Sequence, residues 1–221
     1  MTQQRLIPEL QLQEPRSDEL SQLMEALMQL SGPGLSERRA GLRRLIEGSY
    51  HRRSPLAAAM LVRGIGERDL ELRREFVVAL AEVIAGARGS PEPVFSWLRH
   101  NLGQIRRREV YSLLQVAASS PGHTGLVHLV LDQCSFSGAT LLQILLDRKA
   151  DITIRVVAAH AIAAIGFLDA APAVAALQNR LASRLAGQEQ MGFAPSLEPE
   201  AGLLLPALET LSQSLEEASI Q

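Results

Sequence analysis

A pattern that occurs three times constrains the fold of this chain more than any other feature of its sequence. Residues 72–83 (LRREFVVALAEV) superpose on residues 105–116 (IRRREVYSLLQV) at a spacing of 33, and residues 154–165 (IRVVAAHAIAAI) superpose on both. Each copy begins with an aliphatic residue and an arginine, and its apolar or small residues then recur three positions apart, on one face of a helix. Copies of one helical unit are expected to stack and share a continuous core.

A second helix is predicted after two of these copies. The first copy is followed by GARGSPEP and VFSWLRHNL, and the third by GFLDAAP and AVAALQNRLASRL. Glycine just past the end of one helix and proline just inside the start of the next are typical of such a turn. A weaker copy begins near Glu37, and the stretch SFSGATLLQILLDRKAD is predicted to add a helix between the second and third copies.

The composition favours helices throughout the chain. Hydrophobic residues make up 47% of it but aromatic residues only 4%, so the core must be packed from leucine, alanine, valine and isoleucine, and the first two are strong helix formers. No apolar run reaches the length of a membrane span, and the first residues lack an apolar signal region. Cys134 is the only cysteine, which excludes an intramolecular disulfide and a cysteine-based zinc site. The prediction is an all-α, soluble, cytoplasmic protein without a cofactor or a bound metal.

The third copy and the residues after it form a longer pattern. It reads aliphatic–Arg–x–x–Ala–Ala–x–Ala–Ile, then Ile–Gly, then Ala–x–Pro–Ala–Val–x–x–Leu. The residues that carry it are Ile154, Arg155, Ala158, Ala159, Ile162, Ile165, Gly166, Pro172, Ala173, Val174 and Leu177. This pattern resembles the bacterial HEAT repeat, of the kind also found in phycobilin lyases. The resemblance is closest over residues 152–181 and extends to residues 70–118.

The resemblance implies a right-handed α-solenoid of about four to five HEAT-like helical pairs. HEAT repeats usually carry aspartate directly after the glycine, and it pairs with the arginine of the repeat. Here Phe167 occupies that position, and Asp169 is near enough in sequence to replace the aspartate opposite Arg155.

The segments outside the copies complete the predicted organisation. Residues 1–16 are predicted to be a disordered tail, residues 17–187 the solenoid with an N-terminal capping helix, residues 188–199 a loop, and residues 200–221 a C-terminal capping helix. The first capping helix is expected to begin at Ser17 or Asp18. Its predicted apolar stripe is Leu20, Leu23, Leu27 and Leu30, and that of the last helix is Leu204, Leu208, Leu211 and Leu215.

Charge is unevenly distributed along the chain. Residues 36–108 hold 15 arginines against 8 acidic residues, a formal net charge of +7, whereas residues 109–221 hold 5 basic against 11 acidic residues, a net charge of −6. Either the arginines form a groove for phosphate or for an acidic protein segment, or they pair with nearby glutamates on a solvated face. Arg52 and Arg53, in the predicted turn GSYHRRSP, are the first binding candidates.

Motifs for chemistry are sparse, and no catalytic residue is predicted. No phosphate-binding glycine loop is present in the sequence. His128 and Asp132 have a spacing that suits a metal or an oriented base, but an ordinary exposed pair is the simpler interpretation. His160 lies among alanines and is expected to be buried, and Cys134 is expected to belong to the core.

Trp97 marks the predicted binding surface. It lies at the edge of the apolar stripe of VFSWLRHNL, with Arg99, His100 and Asn101 beside it. In HEAT proteins the second helices line the concave face, so this surface is expected to extend along neighbouring second helices. The residues predicted to extend it are Arg63, His128, Asp132 and Gln178.

The favoured function is a non-enzymatic scaffold or adaptor that binds a protein partner, with an acidic segment as one candidate. A nucleic-acid-binding HEAT protein, or a HEAT-type DNA glycosylase using residues 36–108, is the alternative. A phycobilin-lyase-like enzyme is a third possibility. The sequence leaves the oligomeric state open.

Overall fold

The fold is helical in every range that the computed structural model describes, namely residues 17–87, 93–190 and 199–220. The α-helices of these ranges are α1 (Ser17–Leu30), α2 (Leu35–Glu47), α3 (Tyr50–Arg53), α4 (Pro55–Gly64), α5 (Leu70–Ala87), α6 (Pro93–Leu102), α7 (Arg107–Ser119), α8 (Thr124–Asp132), α9 (Ser137–Leu146), α10 (Ile152–Ile165), α11 (Ala171–Gln190) and α12 (Pro199–Ile220). Short 3-10 helices at Pro121–His123 and Leu168–Ala170 precede α8 and α11. The all-α prediction is confirmed.

The individual helices follow the sequence pattern closely. The helix predicted to end at Leu30 does so, and α9 is the helix predicted between the second and third copies. Helix α11 continues to Gln190, which lies inside the range predicted as a loop. Residues 1–16, predicted as a tail, and residues 191–198 of the predicted loop lie outside the described residues.

The chain divides into two compact units, Met1–Tyr50 and His51–Gln221. In the first unit α1 packs on α2, and the buried apolar residues of these two helices are Ala26, Leu27, Leu30, Leu42 and Leu45. A side chain at Gly41 would lie 2.7 Å from the carbonyl oxygen of Ala26 and the nitrogen of Leu30, so only glycine permits this close approach. Leu20 is 48% exposed. Its assignment to the buried stripe is therefore wrong, because α1 is buried only over its C-terminal half.

In the second unit the three copies of the pattern lie on neighbouring helices. Helices α5, α7 and α10 carry the copies, and α5 packs on α7, α7 on α10, and α10 on α12. Their fully buried side chains include Leu72, Leu80, Leu113, Leu114 and Ile162. The helices that carry the copies therefore contact one another in chain order, and each contributes buried apolar side chains.

The alanine-rich helix α10 is packed on several sides. It contacts α7, α8, α9 and α12, and Ala158, Ala159 and Ala161 are completely buried. Small side chains let neighbouring backbones approach, which explains why so few positions of this helix are polar. It ends at Gly166, whose φ of 66° is the left-handed cap that favours glycine.

Arg155 joins α10 to its neighbours through the interior. It is 2% exposed; its Nε donates to the carbonyl of Leu145 at 2.8 Å, and its Nη1 donates to Oε1 of Glu200, in the first turn of α12, at 2.7 Å. Asp169, expected to pair with this arginine, is exposed. Glu200 pairs with Arg155 instead, so the carboxylate comes from α12 and not from the residues that follow α10.

The predicted stripe of α12 is confirmed. Leu204, Leu208 and Leu211 are fully buried and Leu215 is 3% exposed, where α12 packs on α10 and α11. Leu203, on the other side of the helix, is 52% exposed.

Replacing Leu208 with alanine should lower the free energy of unfolding by about 2–5 kcal/mol, because the lost transfer energy adds to that of a cavity. Urea denaturation measures the change. The matched Leu203→Ala variant should stay within about 0.5 kcal/mol of the parent, since surface substitutions remove little packing. Equal losses in the two variants would contradict this assignment of α12.

The Arg155–Glu200 pair also predicts a pH dependence. The hydrogen bond from Arg155 lowers the pKa of Glu200 below its ordinary value of 4.5, and the charges of Arg155, Arg184 and Arg148 add to this effect. A carboxylate with a lowered pKa in the folded state stabilises the protein above pH 4.5, and this contribution is lost as the pH falls toward the folded-state pKa.

Thermal melting across this acidic range should therefore show a shallower loss of stability in Glu200→Gln than in the parent. The exposed carboxylate of Glu209, on the same helix, provides the control. A Glu209→Gln variant should keep the parental slope. If Glu200→Gln and the parent lose stability with the same slope as the pH falls, the Arg155–Glu200 pair does not contribute to the pH dependence.

Candidate functional site

Helix α6 presents an apolar stripe to the interior and a mixed aromatic and polar face to solvent. Val94, Leu98 and Leu102 are buried, and the helix packs mainly on α4. Trp97, at the edge of this stripe, is 48% exposed. An indole that is half exposed can bury further area against a partner at little cost in side-chain entropy.

The residues around Trp97 are ordered by contacts along α6. The ring of His100 lies 5.9 Å from the indole, centroid to centroid, with the two planes tilted by 31°. Nε2 of His100 is 2.8 Å from Nε2 of Gln104, and the side chain of Asn101 donates to the carbonyl of Trp97 at 2.8 Å. The guanidinium of Arg99 lies 5.5 Å from the ring centroid of Phe95 and remains exposed.

A depression of about 500 Å³ lies beside these side chains. Arg99, His100 and Gln104 line it from α6 and the turn after it, and Ser135 lines it from the turn between α8 and α9. We call the surface formed by Trp97, Arg99, His100, Gln104 and Ser135 the α6 surface. Arg99 and His100 line the depression, and Trp97 lies against the ring of His100.

Phe136 was missed by the sequence analysis. It directly follows Ser135, which lines the depression, and it is 66% exposed. Phe136 is therefore a second accessible aromatic residue, next in sequence to the depression. The signal was an aromatic residue between two serines at the start of the stretch that is predicted to add a helix.

The candidate arginines differ in their surroundings. Arg52 and Arg53 lie in the one-turn helix α3 and not in a turn, so that part of the prediction is wrong. Nη2 of Arg52 is 3.1 Å from Glu82. Arg63 is exposed in the last turn of α4, the main neighbour of α6.

Pairing with carboxylates accounts for several arginines of the basic segment. The pairs are Arg44 with Glu25, Arg52 with Glu82, Arg74 with Glu71, and Arg107 with Asp147. These contacts agree with the solvated-face interpretation for these four arginines.

The remaining predicted residues lie on helices that do not pack extensively on α6. Helix α8, which carries His128 and Asp132, packs mainly on α5 and α7, and α11, which carries Gln178, packs mainly on α12. Oδ2 of Asp132 accepts from Gln133 at 3.0 Å. Oε1 of Gln178 accepts from Ser212 of α12 at 3.0 Å. The side chain of Gln178 therefore helps to attach α12.

His128 on α8 and His160 on α10 differ in their exposure. His160 is exposed, so the prediction that it is buried is wrong, whereas His128 is half-buried. Its Nε2 is buried and has no hydrogen-bond partner among the described residues. Burial lowers the pKa of His128, and the charge of His160 lowers it further. The neutral imidazole is therefore favoured at this position.

A second groove, also missed by the sequence analysis, crosses the helices that carry the repeated pattern. It has a volume of about 500 Å³ and is lined by residues of α5, α7 and α10 or of the turns before them. Its polar and charged lining residues are Arg68, Arg73, Tyr111, Gln115, Ser119, Asp151 and Thr153. We call it the Arg73 groove. It shares no lining residue with the α6 surface.

Arg73 forms the inner part of this groove and is 8% exposed. Its Nε donates to the carbonyl of Glu67 at 2.7 Å, and its Nη1 donates to Oε1 of Gln115 at 2.7 Å and to the carbonyl of Ser112 at 3.4 Å. Burial lowers the pKa of Arg73, while Glu67 and Asp69 raise it. The hydrogen bonds of this guanidinium thus go to neutral acceptors, while the charges of Glu67 and Asp69 act on it without a direct hydrogen bond.

Comparisons with protein-family models, with curated proteins and with solved structures find no match for this chain. None of the described helices combines the length and the apolar character needed to cross a membrane. Within the described ranges, no three histidine, cysteine or acidic side chains are grouped so that they can hold a metal ion.

Cys134 belongs to the core, as predicted, but lies just beyond the end of α8. Its thiol donates to the carbonyl of Val130 at 3.2 Å, and burial, with a smaller contribution from Asp132, raises the pKa of the thiol to about 12.

The folded protein should therefore resist alkylation by iodoacetamide at pH 8, because only the thiolate reacts. The same reagent should label the single thiol when urea unfolds the chain. Mass spectrometry of the two samples measures the labelled fraction. Complete labelling under native conditions, with helicity retained, would show that the thiol is not buried as described.

Proposed function

We propose that this chain is a HEAT-type helical scaffold that binds a protein partner through the α6 surface. The carrying observation is Trp97, which is half exposed, is flanked by His100, and lies on the same helix as the exposed guanidinium of Arg99. Tryptophan and arginine are the residues most enriched among those that dominate interface energetics.

The contacts of the second unit support the solenoid part of this proposal. Copies of the pattern on α5, α7 and α10 are packed in chain order, and α12 continues the series. Arg73 and Arg155 lie at matching positions of two copies, and each reaches the helix that follows in the series. Such nearest-neighbour contacts are what a stacked repeat requires.

The chemistry of the α6 surface favours a partner with an apolar residue and an acidic one close together. An apolar side chain would cover the exposed part of Trp97. A carboxylate would pair with Arg99, whose fork accepts two oxygens. No carboxylate lies among the residues that line the depression.

Trp97→Ala should weaken partner binding at least tenfold while changing the melting temperature little. A central aromatic contact of this kind is worth about 2 kcal/mol or more, whereas half of the indole area is already in water. Affinity capture from an extract of the source cells identifies the proteins that the parent retains and Trp97→Ala loses. Calorimetry on the purified pair then gives the two affinities.

The matched control is Leu168→Ala, which removes another exposed apolar side chain of the same unit. This variant should keep the parental affinity. A further variant, Arg99→Glu, should weaken an acidic partner without loss of folding. The proposal fails if Trp97→Ala and Leu168→Ala bind the partner as tightly as the parent does.

Nucleic-acid binding remains the second candidate, on a specific observation. Arg106 and Arg108 are exposed, and within the described part of the chain neither forms an ion pair with a carboxylate. Titration of duplex DNA at two salt concentrations distinguishes the two functions, because phosphate contacts weaken steeply with salt. Salt-sensitive binding that Trp97→Ala leaves unchanged would favour nucleic acid.

A further inference from the structure

We propose that the Arg73 groove is a binding site for a single carboxylate, with Arg73 as its central contact. The groove shares no lining residue with the α6 surface, so this inference does not depend on the proposed function.

The strongest support comes from comparing two arginines of the same chain. Arg73 and Arg155 occupy matching positions in two copies of the pattern, are both more than nine-tenths buried, and each donates through Nε to a main-chain carbonyl. Nη1 of Arg155 is satisfied by the carboxylate of Glu200, whereas Nη1 of Arg73 is satisfied by the neutral amide of Gln115. Arg73 therefore lacks the direct hydrogen bond to a carboxylate that Arg155 has, although the charges of Glu67 and Asp69 act on it.

A buried guanidinium without a paired carboxylate is costly, because its neighbours replace only part of its hydration. Nη2 of Arg73 donates no hydrogen bond to the described part of the chain. This nitrogen is also not fully enclosed by protein atoms. Nη2 is therefore the nitrogen that remains available to a ligand in the groove. A carboxylate there would give Arg73 the counter-charge that Glu200 gives Arg155.

Other lining groups provide donors for the same oxygens. Arg68 is exposed at the groove, and its guanidinium has no partner among the described side chains. The amide nitrogen of Gln115 and the hydroxyl of Tyr111 likewise make no hydrogen bond to the residues that the structure describes. A carboxylate entering the groove can thus be bound by a charged fork and by neutral donors together.

The acidic groups around the groove limit the charge of the ligand. Asp151 lines it, with Oδ1 accepting from the main-chain nitrogens of Thr153 and Ile154, and Glu67 and Asp69 lie near Arg73. Two guanidinium groups stand against these three carboxylates, so the groove has no excess of positive charge that could neutralise a second negative charge on the ligand. A monocarboxylate is therefore favoured over a dianionic phosphate.

The carboxylate can come from a free small molecule or from an acidic side chain of a protein. Two probes separate these sources: sodium acetate, and the capped peptide Gly-Gly-Glu-Gly-Gly. The same peptide with glutamine in place of glutamate is the uncharged control. Binding is followed through the side-chain Nε–Hε signals of arginine in nuclear magnetic resonance spectra, with Arg73 assigned by comparison with Arg73→Lys.

Both carboxylate probes should give saturable shifts of the Arg73 signal, and the glutamine peptide should give none. Tighter binding of the peptide would assign the site to a protein side chain, and equal or tighter binding of acetate would assign it to a small carboxylate. The carboxylate assignment is overturned if inorganic phosphate binds more tightly than both probes.

The decisive variant is Gln115→Glu, which places a carboxylate opposite Arg73 as Glu200 is placed opposite Arg155. It should raise the melting temperature and weaken the binding of both probes by about tenfold or more, the scale of one charge-assisted hydrogen bond. Arg68→Ala, at an exposed position, should weaken binding several-fold without loss of folding. Arg180→Ala, at an exposed position of α11 outside the groove, should leave the binding of both probes unchanged.

Two results would overturn the proposal. One is that neither carboxylate probe saturates with the parent chain at the highest soluble concentration. The other is that Gln115→Glu folds normally and binds both probes as the parent does. Because none of these measurements uses the partner of the α6 surface, failure here leaves the proposed function unaffected.

Discussion

The packing of the second unit depends on two buried arginines, Arg73 and Arg155, whose Nη1 donors each bond to an acceptor on another helix. Hydrophobic contact between leucine- and alanine-rich helices is non-directional and tolerates sliding of one helix against another. A guanidinium in the interior is different, because each unpaired donor loses hydration without compensation. Arg155 reaches Leu145 and Glu200, and Arg73 reaches Gln115. These bonds fix the register in which successive helices of the series meet.

This division of roles explains the unusual composition of α10. Its alanines supply close approach to four neighbouring helices but little area to bury. Specificity must then come from the one buried polar residue of the helix, Arg155. The low aromatic content of the chain is consistent with the same arrangement, since close backbone packing leaves little room for large rings, and the buried ring of Phe76 packs against a glycine, Gly64. Trp97 and Phe136 are correspondingly placed at the surface.

The features that could be predicted from the sequence are local. Those that could not be predicted depend on contacts between residues that are distant in the chain. The periodicity of apolar residues predicted α6, α9 and α12, because the residues that form the apolar stripe of a helix lie within a few turns of one another. The repeated pattern aligns Arg106 with Arg155. In the structure, however, Arg106 precedes the first residue of α7 and is exposed. Likewise, Glu200 is separated by 45 residues from Arg155, and no local rule favours it over Asp169. The Arg73 groove was missed for this reason, since three separate helices line it.

The two buried arginines show how one repeat position serves packing in one place and leaves a site in another. The acceptor opposite Arg155 is a carboxylate, and the arginine side chain of this salt bridge is buried. Opposite Arg73 the acceptor is an amide, which differs from glutamate by a single group, and the guanidinium faces a groove. The helices need the same hydrogen bond in both cases, because either acceptor fixes the register. Only the charge of the acceptor differs. That charge decides whether the arginine already bonds to a carboxylate of the chain or can still bind a carboxylate from outside.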